Sequence, residues 1–168
     1  MSPLCNYLVE KFPKWLAPNV ITVSGFFLNL LNLIITIYYT GWKGGYYIPP
    51  WACIACAISY TTYIVLDYTD GKQARRLNAS TPLGLLFDHG TDACTTFYIT
   101  LVSGGITYFN NINQYLIYYI PVTFTFFLNT WEEYYVGELV LPVINGVAEG
   151  TLLADGVYLI SALYGSSF

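Results

Sequence analysis

The chain has 168 residues, of which 55% are hydrophobic, 18% aromatic and only 10% charged, with a formal net charge of −4. A soluble domain carries about a quarter charged residues, so this composition predicts an all-α, polytopic integral membrane bundle. Its six basic residues form no tract able to hold a phosphate backbone, which excludes nucleic acid as a partner.

Residues 1–18 mix apolar positions with Glu10, Lys11 and Lys14. They are predicted to lie in the membrane interface as an amphipathic helix, with Trp15 at headgroup level. The basic, apolar and small-residue layout of a cleaved secretory signal is not present there. Uncharged runs at residues 20–41 and 44–66 predict two membrane crossings. A third run, residues 93–131, is long enough for two more and is broken by the polar cluster Asn110, Asn111, Asn113 and Gln114. The stretch after Thr151 supplies a weaker fifth crossing.

Five of the six basic residues, Lys11, Lys14, Lys72, Arg75 and Arg76, fall on one side of this topology, and Lys43 on the other. The positive-inside rule makes the first side cytosolic, together with the connection from Asp67 to Asp92 and residues 131–150. On that side the glycosylation pattern Asn78-Ala79-Ser80 stays unused. Cys53 and Cys56 have the spacing of a redox or zinc half-site, but an apolar span with no second ligand pair predicts free, buried thiols.

Four of the five aspartates, Asp67, Asp70, Asp88 and Asp92, fall within 26 residues. Asp67 and Asp70 are three apart and Asp88 and Asp92 four apart, so each pair shares a helix face. An aspartate at the centre of a membrane helix costs roughly 2.5–3.5 kcal/mol, less near its end, and four together call for a compensating cation. Carboxylates are hard ligands for Mg²⁺ or Mn²⁺, and four from two helices suit two ions about 3.5–4 Å apart, as in phosphoryl-transfer sites. Gly71 and Ala74 would leave room beside such a site for a flat group, and Gly84 would let two helices approach. Lys72 and Arg75 stand ready to neutralise phosphate oxygens, Arg75 in a planar fork. His89, the one histidine in the chain, is wedged between two expected ligands and is the natural proton acceptor. A cation channel or transporter would also gather intramembrane acids, but it would not need Gly71, Ala74 and Arg75 at these separations.

The ordering Asp67, Asp70-Gly71, Ala74-Arg75, Gly84, Asp88, Asp92, with its fixed gaps, resembles the signature of the CDP-alcohol phosphotransferases. "LDYTDGKQARR" and "PLGLLFDHGTDA" are similar to the eukaryotic choline/ethanolamine branch, "APNVITVSG" to the family's Pro-Asn-x-x-Thr segment, and "WEEYYVGELVLPVINGVAEG" to the cytosolic segment of plant-type aminoalcohol phosphotransferases. The resemblance implies that Asp67, Asp70, Asp88 and Asp92 hold two Mg²⁺ or Mn²⁺ ions on the diphosphate. Asn19 and Arg75 would contact the CDP part beside Gly71 and Ala74. It implies transfer of phosphoethanolamine or phosphocholine from CDP-ethanolamine or CDP-choline to diacylglycerol, releasing CMP, on the cytosolic face of the endoplasmic reticulum or a related endomembrane. The base is Asp92 in many members and His89 by analogy with the eukaryotic branch, with Glu149 orienting His89; Glu132, Glu133 and Glu138 are expected to be solvated. A homodimer is compatible with this reading. Relatives in the branch are longer, so the chain is expected to be C-terminally truncated, and a non-catalytic CDP-alcohol-binding relative is the alternative.

Overall fold

The computed structural model describes residues 2–41, 47–137 and 146–165, the side chains of 2–3 and 146–149 excepted. The described chain is built from six helices: α1 (Ser2–Lys11), α2 (Pro18–Thr40), α3 (Pro50–Arg76), α4 (Pro82–Ile106), α5 (Ile112–Val136) and α6 (Gly146–Tyr164). Proline opens α2, α3 and α4, where its fixed φ is already helical and its missing N–H is not needed. The polar cluster expected to break the long third run does so as a capping box. The Asn111 side chain accepts from Asn113 N (3.0 Å), while Gln114 Oε1 accepts from Asn110 N (3.0 Å) and Asn111 N (3.3 Å).

Two described helices, α2 and α3, are long and apolar enough to cross a membrane by length and composition; α4 and α5 are 25 residues each. The outer faces are unlike those of a water-soluble bundle: Ile34, Tyr38, Ile58, Ile117, Ile120 and Phe124 are all exposed. The interior inverts that pattern, with Thr22, Asn29, Asn32, Thr36 and Thr40, and Gly25 between the first two, forming a buried stripe along α2 at three- and four-residue spacing. This is a membrane protein with a polar seam.

α3 is the central helix, packing against α1, α2 and α6, while α4 packs against α2, α5 and α6. α3 faces the core with Cys53, Cys56, Tyr60, Tyr63 and Ile64; Tyr158 of α6 closes it, bonded to Ser103 at 2.8 Å. All four cysteines are free, and Cys53 and Cys56 are buried as expected, whereas Cys94 of α4 is exposed and borders an open apolar groove shared with Phe26 and Phe27 of α2.

Gly105 lets α4 approach α2, since a Cβ there would stand 2.5 Å from Thr36 Cγ2. Thr36 is short, buried and close to its own backbone, so it cannot swing aside. Gly105→Ala is expected to destabilise the bundle by about 1–3 kcal/mol through overpacking, read as a lower thermal midpoint in detergent; an unchanged midpoint would show that the contact is looser than drawn.

Candidate active site

The functional helices are joined by a tight reversal at residues 77–81. Asn78 takes a φ of 50°, a conformation that asparagine tolerates, and the N–H groups of Asn78 and Ala79 return to the carbonyls of Arg75 (3.2 Å) and Ala74 (2.9 Å). Thr81 then caps α4, its hydroxyl accepting from Gly84 N at 3.1 Å. Asp70 lies six residues before the last residue of α3, and Asp88 six residues after the first of α4. At 1.5 Å per residue both stand roughly 9 Å from the turn, with Asp67 and Asp92 about one turn deeper.

The outcome is a carboxylate cluster. Asp67, Asp70 and Asp88 each present an oxygen within 4.8 Å of the others, a separation at which one cation could bind all three. Asp92 joins through Asp67, side chain to side chain. Two hydroxyls steady the outer members: Thr22 of α2 donates to Asp70 Oδ2, and Tyr63 donates to Asp92 Oδ1 at 2.5 Å. Asp88 Oδ1 is shut away from solvent with no hydrogen-bond partner among the described residues. A buried anionic oxygen left bare is costly, and beside two further carboxylates it fits a divalent ion.

Cavities reach the cluster from two sides. One of about 160 Å³ is lined by Asn19, Thr22, Asp70, Gly71, Ala74, Arg75, Gly84 and Asp88, so every expected CDP-contacting residue borders the same space. A Cβ on Gly71 would meet nothing nearer than the Arg75 guanidinium at 3.8 Å, while one on Gly84 would press on Thr81 Oγ1 at 3.3 Å. Gly71 therefore leaves this cavity open, and Gly84 serves the cap and the approach of α2. The second cavity, about 280 Å³, runs between α3, α4, α5 and α6 and is bordered by Tyr60, Ile64, Asp67, Asp92, Ile99, Tyr118 and Phe126.

His89, on α4 beside Asp88, is half-buried, and its Nε2 lies 3.3 Å from Glu133 Oε2 of α5. Glu133 was expected to be solvated, and the structure corrects this: its side chain is only 19% exposed. Glu149 lies in α6 with its side chain outside the described residues. Lys72 is directed to Asn6 Oδ1 of α1 at 2.5 Å, so Arg75 is the cation that borders the smaller cavity. Sequence reasoning gave no role to Tyr63 or Thr22. Tyr63 sits four residues before Asp67, one turn away, and Thr22 closes the Pro-Asn-x-x-Thr segment that begins at Pro18.

The acid cluster thus sits on a helical hairpin, between one cavity edged by an arginine and one walled by aromatics. Residues 15–143 match the family described as CDP-alcohol phosphatidyltransferase, and the chain belongs to that family. It is 40% identical to human ethanolaminephosphotransferase 1 over 98% of this chain and 43% of the relative. It is 37% identical to Xenopus laevis cholinephosphotransferase 1 (98% and 41%) and 34% identical to Arabidopsis thaliana choline/ethanolaminephosphotransferase 2 (100% and 42%). The chain thus spans less than half the length of these relatives.

Proposed function

We propose that the protein transfers phosphoethanolamine or phosphocholine from a CDP-alcohol to diacylglycerol, releasing CMP, as the last step in making the corresponding phospholipid. The observation that carries this is the carboxylate cluster with Asp70 and Asp88 bordering one cavity and Asp67 and Asp92 the other. Family membership and the names of the relatives support the same reaction.

The smaller cavity takes the nucleotide end, with Asn19 and Arg75 at its edge and Gly71 and Ala74 leaving room. Two divalent ions, Mg²⁺ or Mn²⁺, held by Asp67, Asp70, Asp88 and Asp92, would neutralise the diphosphate and the departing CMP. The aromatic cavity takes the diacylglycerol end, and its walls keep bulk water from competing as acceptor. His89 removes the proton of the attacking hydroxyl as the new ester bond forms.

The whole chain acts as one membrane domain, α2 to α5 crossing the bilayer, α6 forming a fifth apolar segment, and residues 1–18 lying in the interface. The cluster end faces the cytosol, where CDP-alcohols are available. In support, α1 packs on α3, and Arg76 bonds to the carbonyls of Val9 and Phe12, gathering the basic residues at that end.

One experiment tests the reading. In sealed endoplasmic-reticulum vesicles from cells lacking their own CDP-alcohol phosphotransferases, CDP-ethanolamine or CDP-choline added outside should release CMP without permeabilisation. EDTA with an ionophore should stop it. CDP-alcohol binding without CMP release would mark a binding protein instead, and turnover undiminished by the chelator would remove the metals from the scheme.

A further inference from the structure

We propose that Glu133 is the positioning residue of His89, holding the Nε2 edge of the imidazole so that Nδ1 is the nitrogen left to accept the proton. The inference rests on His89 acting as base, and adds a residue that neither the signature nor the resemblance selects.

Three observations carry it. The first is the rotational setting of α5: its partly buried positions, Tyr115, Tyr118, Tyr119, Thr123, Phe126, Asn129, Thr130 and Glu133, fall at helical spacing along one face. Of the adjacent acids, Glu133 ends this inward stripe and Glu132 is exposed. The second is isolation. Glu133 Oε2 is shielded from solvent and makes no aligned hydrogen bond among the described residues, while His89 Nε2 approaches it at 3.3 Å. A screened carboxylate oxygen needs a donor, and His89 Nε2 stands at donor distance from it.

The third is the surrounding charge. Glu133 is close enough to Asp88, and His89 to Asp92, for each pair to interact electrostatically. A carboxylate on one imidazole nitrogen fixes tautomer and ring orientation, which sets where the other lone pair points.

His89 is the only histidine, so selective ¹⁵N-histidine labelling of the full chain in nanodiscs reports one imidazole. In the unmutated chain a single tautomer is expected, with an Nε2–H protected from exchange. Glu133→Ala, and more mildly Glu133→Gln, should lose that protection, and Glu132→Ala should not. In turnover, Glu133→Ala should lower kcat roughly 10–100-fold with KM for the CDP-alcohol changed less than about twofold; Glu133→Asp should restore part of the loss. The proposal is overturned if the imidazole spectrum of Glu133→Ala matches that of the unmutated chain, or if KM rises with kcat intact. Absence of CMP release from the unmutated chain would strike the transferase reading instead, and the spectral arm would still decide whether Glu133 holds the ring.

Discussion

Asp88→Asn is expected to remove turnover and weaken binding of both the divalent ion and the CDP-alcohol. The substitution preserves size but leaves Asp88's bare, buried oxygen position with a neutral amide, and the three-oxygen set drops to two anionic members. Metal-borne charge stabilisation is worth several kcal/mol; a loss of about 4 kcal/mol corresponds to roughly 10³-fold in rate. CMP release and ion titration on the same preparation measure it. The effect on stability has the opposite sign: without ions the carboxylates repel one another, so in EDTA the Asp88→Asn variant should melt higher than the unmutated chain. Turnover within tenfold of the unmutated chain would show that Asp88 is not a ligand the reaction needs.

His89→Ala should part chemistry from binding. His89 borders neither cavity and stands beside the cluster, so CDP-alcohol and ion affinities should stay close to those of the unmutated chain. The rate should fall on the order of 10²–10⁴, the usual worth of a positioned base. Binding isotherms and single-turnover CMP release, run together, check both halves. If His89→Ala turns over normally while Asp92→Asn stops turnover with ions bound, the base is Asp92.

Much of the bundle was legible, and its limits have a physical origin. Runs of uncharged residues located the helices, and Asn111 with Gln114 located the break before α5, because caps and apolar periodicity are local properties. Hydropathy stopped the second span at Leu66 and began the third at Ala93, whereas α3 continues to Arg76 and α4 starts at Pro82. Charge reports contact with lipid and not backbone conformation, and here the acids turn toward one another inside helical limbs. The four aspartates, Gly71, Ala74 and Arg75 were readable because they lie on two helices in sequence, where spacing fixes relative position. Glu133 was not. Its meeting with His89 depends on how α5 is rotated against α4, a tertiary fact, and apolar and aromatic residues occupy every face of α5, so the residue types do not single out the inward one.

The equal count of six residues from Arg76 back to Asp70 and from Pro82 on to Asp88, either side of the Asn78 reversal, makes the hairpin a ruler. One residue added to either limb between the turn and its acid would advance the acid by about 1.5 Å and swing it about 100° around the helix, carrying the carboxylates off the facing surface. The reversal itself tolerates change only while its left-handed residue and the Thr81 cap survive. The fixed gaps of the signature are therefore a length standard written in helical pitch, by which two acids 18 residues apart in sequence arrive at the same depth and opposed.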